Sequence, residues 1–157
     1  MKKNPLLRKA ILAVLTGIII TVSIAAYLFF KPHRNVQATE TFAEFSVKEL
    51  TDEFTANEAS ANAKYLANDG NSKVLIIQGR VNKISVNQDG EKVIELKDSS
   101  AKVGVSASFP KSASPVLDQV QKGYIVKIKG AITAGNAYDS SLDLYNNAIL
   151  IQCKLIK

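Results

Sequence analysis

Cysteine and histidine are nearly absent from this 157-residue chain, which has one of each. A single Cys excludes an intramolecular disulfide framework and any multi-cysteine zinc site. The single His, His33, leaves His-rich metal centres without ligands. It also leaves Ser-His-Asp and Cys-His arrangements without a base anywhere in the following 124 residues. No Gly-rich phosphate loop and no acidic metal-binding run appears either. Cys153 lies in an apolar stretch, where a free thiol behaves as a small hydrophobe. These absences point away from an enzyme and away from any cofactor or metal.

Acidic residues are missing from the first 34 positions, which hold Lys2, Lys3, Arg8, Lys9, Lys31 and Arg34. The whole chain carries a formal charge of +6 and a pI of 9.4, values that invite a nucleic-acid partner. Beyond position 34, however, 14 cations meet 14 acids. The excess charge flanks one apolar run, Ala10–Phe30, of 21 uncharged residues. As a helix that run would be roughly 30 Å long, the thickness of a bilayer hydrocarbon core. Tyr27, Phe29 and Phe30 stand at its outer end, where aromatic rings favour an interface.

The expectation is a transmembrane helix at 10–30 between a cytoplasmic tail at 1–9 and an outer portion, oriented by the four cations on the N-terminal side. A cleavable signal peptide is the alternative, with Val36-Gln37-Ala38 as a small-x-small site; it would leave a secreted or periplasmic protein. Within the run, Ala13, Gly17, Thr21 and Ala25 recur every four residues, a spacing that could pair two helices as a homodimer.

Residues 31–45 read as a tether. Ser46-Val47-Lys48-Glu49 then has the form of a capping box, and Val47, Leu50, Phe54, Ala61 and Tyr65 make one apolar stripe. This predicts an amphipathic helix ending near Ala67. A β-rich region follows. Lys73–Val86 is the first strand, with a bend near Gly79-Arg80 to reconcile its two apolar parities. Lys92–Lys97 is the second, with Ile94 and Leu96 inward. Val103, Val105, Ala107 and Phe109 alternate with small polar residues as the third. A short helix at Ser114–Gln121 precedes a fourth strand, Tyr124–Thr133, and a last strand region at Ala148–Ile156. The reading is a mainly β, α+β domain over 46–157. It is a five-stranded OB-fold Greek-key barrel with an N-terminal amphipathic helix, a short helix between strands three and four, and one transmembrane helix ahead of it.

Several pieces resemble a known family. They are Val47-Lys48-Glu49-Leu50, Glu53-Phe54, Asn57-Glu58 and Ala61-x-x-Lys64-Tyr65 in the helix, then Gln78-Gly79-Arg80-Val81 and Val93-Ile94-x-Leu96 in the strands. Val103-x-Val105-x-Ala107-x-Phe109, Lys122-Gly123-x-x-Val126-x-Ile128-x-Gly130 and Leu142-x-Leu144 continue the pattern. Together they resemble the tRNA-anticodon-like OB-fold family of bacterial exported proteins. The resemblance implies the barrel and an envelope setting; it carries no activity and no site residues.

An oligonucleotide-binding barrel should present rings and cations on strands two and three. The outward residues there read as Val93, Glu95 and Lys97, then Gly104, Ser106 and Ser108, without an aromatic. Lys127 and Lys129 form a basic pair on strand four, and Tyr138 stands in the turn region before the last strand. Lys97, Lys127, Lys129 and Tyr138 are the candidate ligand-binding residues. Asn57 and Glu58 read as caps for backbone groups at the helix–barrel junction. The expectation is a non-catalytic binding module held in the bacterial inner membrane, facing an envelope protein or a glycan. The bare strand face argues against nucleic acid, and an oligonucleotide- or oligosaccharide-binding barrel is the alternative.

Overall fold

A computed structural model describes residues 5–29 and 34–156. The chain forms two compact units, 1–34 and 35–157. The first contains one helix, α1 (Pro5–Phe29). Its side chains are described at Lys9 and over Val14–Tyr27. Among the described residues no helix is long and apolar enough to cross a membrane. The expected transmembrane helix at 10–30 is corrected accordingly. The single-pass inner-membrane topology, the membrane partnership and the helix-paired homodimer that depended on it are corrected with it. Residues 1–4, Phe30, Lys31 and His33, and the side chain of Ala13, lie outside the described residues.

The second unit is a barrel. A short strand β1 (Ala43–Ser46) leads into α2 (Val47–Ala56) and α3 (Glu58–Tyr65). Ser46 caps α2 as expected: its hydroxyl accepts from the Glu49 amide while the Glu49 carboxylate accepts from the Ser46 amide. The single helix expected to reach Ala67 breaks at Asn57. That residue closes α2 and starts α3, its side-chain oxygen accepting from the Ser60 amide at 3.0 Å. Asn57 is therefore a helix cap, its side chain bonded within α3 rather than to a barrel strand among the described residues.

Strands β2 (Val74–Val86), β3 (Lys92–Leu96) and β4 (Val105–Phe109) form an antiparallel meander. A 3-10 turn at Lys111–Ala113 and a single-turn α4 (Ser114–Leu117) follow, shorter than the helix expected to reach Gln121. Then come β5 (Ile125–Ala134), a hairpin of β6 (Ala137–Asp139) and β7 (Leu144–Asn146), and β8 (Ala148–Ile156). The order β2-β3-β4-β8-β5 closes because β2 also pairs with β5, and β4 runs parallel to β8. This is the five-stranded closed topology of an OB-fold, in a mixed α+β domain.

The long β2 serves both partners by bending. Its first half pairs with β5 and its second with β3, with the register shift falling between Val81 and Lys83. Leu75, Ile77, Ile94, Leu96, Val105, Ala107, Phe109, Ile128, Ile132 and Leu150 fill the interior. Val47, Leu50, Phe54, Ala61 and Tyr65 belong to the same cluster, so α2 and α3 plug the barrel with the predicted apolar stripe. Cys153 is buried, and desolvation pushes its thiol well above the ordinary range. The segment read as a tether includes β1, which lies parallel beside β2. Val36, just before it, is buried against Val74 and Ala131.

Candidate functional site

Gly135 sets the position of the site. A Cβ there would lie 2.1 Å from two carbons of the Phe54 ring, so only glycine lets the chain after β5 cross the face of α2 this closely. The next residue, Asn136, is consequently 4% exposed, and its amide donates to Thr55 Oγ1 of α2 at 3.0 Å. From this anchor β6 and β7 project as a two-stranded arm.

Tyr138 and Tyr145 are direct cross-strand partners on that arm, with ring centroids 4.7 Å apart and planes at 40°. Both are exposed, at 51% and 40%. At the arm's tip Asp139 Oδ1 accepts from the Ser141 and Leu142 amides, an Asx turn, and Asp143 takes a positive φ of 49°. Asp143 also accepts from the Tyr138 hydroxyl at 2.8 Å, which raises that phenol's pKa.

Lys102, in the β3–β4 loop, completes the arrangement. Its ammonium lies 5.1 Å from the Tyr145 ring centre and donates to the Tyr145 hydroxyl at 3.3 Å. Between the arm, this loop and α2 lies a cleft of about 600 Å³. Thr55, Lys102, Asn136, Tyr138 and Tyr145 line it, together with the carboxylates of Asp52, Glu58 and Asp98. Lys48 also lines it but is paired with Asp52. A second cleft, about 780 Å³, lies along the arm near Asn62, Ser106, Ser108 and Asn147, and shares Glu58 and Tyr145 with the first.

The four sequence-predicted residues do not converge. Tyr138 lines the first cleft. Lys97 stands behind it, donating to the Lys102 carbonyl at 3.0 Å and so fixing the loop that carries Lys102. Lys127 pairs with Glu44 of β1 at 2.5 Å. Lys129 donates to the Gln37 and Thr39 carbonyls at 3.2 and 2.8 Å, strapping the chain ahead of β1 onto β5. Tyr145, Lys102, Asn136 and Thr55 were not anticipated. The one available signal was the pair of tyrosines flanking Asp139-Ser140-Ser141, an Asx-turn sequence that closes a hairpin.

Glu58 lines both clefts. Among the described residues no group of three or more His, Cys, Asp or Glu could hold a metal ion.

Sequence comparison places the tRNA_anti-like family over residues 1–141. The chain belongs to the tRNA_anti-like family. No curated protein matches it. Among solved structures, a Klebsiella pneumoniae lipoprotein, provisionally described as nucleic acid-binding, is 20% identical. The match covers 80% of this chain and 99% of that one, at a TM-score of 0.55, which is a likeness of fold. Entamoeba histolytica asparaginyl-tRNA synthetase, in complex with asparaginyl-adenylate, is 19% identical over 54% of this chain and 20% of its own, at a TM-score of 0.36. This tRNA_anti-like chain carries an OB-fold domain.

Proposed function

We propose that the domain binds short single-stranded oligonucleotides in the cleft beside the β6–β7 arm, where an unpaired base stacks against the Tyr138–Tyr145 pair. The exposed, mutually packed tyrosines, with the Lys102 ammonium over the Tyr145 ring, carry this reading. Each base stacked on such a platform contributes about 1–3 kcal/mol, whatever its identity. The expectation against nucleic acid rested on the bare faces of strands two and three. The rings sit instead on a hairpin inserted between β5 and β8. The description of the Klebsiella chain as nucleic acid-binding supports the same class of ligand, and its description as a lipoprotein supports an extracytoplasmic setting.

Phosphate attraction contributes little here. Lys102 is the one cleft-lining cation among the described residues that is not ion-paired to a carboxylate, and three carboxylates line the same cleft. Binding is therefore driven by stacking, with weak dependence on charge. The test is a titration of the full chain with short single-stranded DNA and RNA and with cell-wall oligosaccharides, read by tyrosine fluorescence. Saturable quenching by the nucleic acids is expected. Binding of a saccharide with none of either nucleic acid would overturn the assignment.

A further inference from the structure

Asn136 holds a polar atom that the fold leaves unmatched. The residue is 4% exposed, yet its Oδ1 is a buried acceptor with no hydrogen-bond partner among the described residues. The orientation of the amide is dictated by its neighbour. Thr55 Oγ1 donates its only proton to the Thr51 carbonyl at 2.8 Å, so toward Asn136 it acts as an acceptor. Asn136 must therefore present its NH2 to Thr55, which it does at 3.0 Å, and turn its carbonyl oxygen the other way. A flipped amide would set two acceptors against each other.

Native folds rarely leave a buried acceptor unmatched, because its desolvation is not recovered. Asn136 lines the same cleft as the tyrosine pair. We infer that Asn136 Oδ1 reads the ligand, accepting a hydrogen bond from an amino group on the edge of a base stacked against Tyr138 and Tyr145. The inference rests on the oligonucleotide reading above and deepens it: the rings supply affinity for any base, and Asn136 supplies preference for one that donates. Such a preference follows from the general cost of an unmade hydrogen bond at a buried group, about tenfold in affinity.

Two oligonucleotides of equal length separate the contributions: one of adenine nucleotides, and one whose purine bases lack the 6-amino group. Stacking area is nearly the same in both. The full-length protein should bind the adenine oligonucleotide about tenfold more tightly. Asn136→Leu should bind the two alike. Thr55→Val, an exposed and mild change, removes the acceptor that orients the amide and should also reduce the ratio. It serves if the leucine variant fails to fold by circular dichroism. Equal affinity of the unsubstituted protein for both ligands, with binding still lost in Tyr145→Ala, would overturn the role of Asn136 and leave the oligonucleotide reading standing. No binding of either ligand would overturn both.

Discussion

Single side chains in this domain divide into those that hold the fold and those left over for a ligand. Glu53 is of the first kind. Its carboxylate accepts from Lys64 Nζ and from the Tyr65 hydroxyl, each at 2.6 Å, and so clasps α2 to α3. The lysine bond first, then the tyrosine bond, lowers the Glu53 pKa. A carboxylate with a depressed folded-state pKa contributes stability that is present above its unfolded value and lost as pH falls through the folded one. Thermal melts should therefore drop on acidification below roughly pH 4, the ordinary glutamate range. Glu53→Gln should flatten that part of the profile while costing some stability at neutral pH; an unchanged profile would contradict the clasp. Tyr138, Tyr145 and Asn136 are of the second kind. The two rings are exposed, and Asn136 Oδ1 is a buried acceptor with no partner among the described residues, in ways that the packing of the barrel does not require.

At the scale of elements, the β6–β7 arm depends on its root. Gly135 lies flat on Phe54, and any side chain there must displace a ring that is itself in the core. Overpacking of that kind costs about 1–3 kcal/mol. Gly135→Ala should lower the melting temperature, and it should weaken oligonucleotide binding by shifting the arm even where the barrel survives. Asn57 governs the other junction: Asn57→Ala removes the α3 cap and should cost about 1 kcal/mol in a denaturant titration.

The strands were legible because alternation in Val105–Phe109 and in Val93–Leu96 matches the buried pattern residue for residue. The capping box at Ser46 was equally local. The break at Asn57 was not, since the apolar stripe runs on through Ala61 and Tyr65 across it. The arm escaped notice for a related reason. It is short and exposed, so no apolar period marks it, and Tyr138 meets Tyr145 only because the turn between them folds back. Lys127 and Lys129 looked like a free basic pair, yet their partners, Glu44 and the 37 and 39 carbonyls, come from a segment that the sequence presents as a tether.

For the whole molecule, total charge was the misleading quantity. The formal +6 belongs to the first 34 residues, and the barrel's sequence is balanced. A balanced domain that nonetheless binds oligonucleotides must do so through rings. It should then show a shallow salt response, with a slope of log affinity against log salt of about −0.7, the value for one neutralised phosphate on a single strand. A slope several times steeper would mean that a cationic surface elsewhere does the binding.

The most direct test of the account is a fluorescence-anisotropy titration of the full chain and of its Tyr138→Ala/Tyr145→Ala variant with one labelled single-stranded oligonucleotide. The account predicts saturable binding by the unsubstituted protein and a loss of at least about fivefold in the variant, the lower bound for one stacked base. Equal binding by the two proteins, or none by the unsubstituted chain, would contradict it.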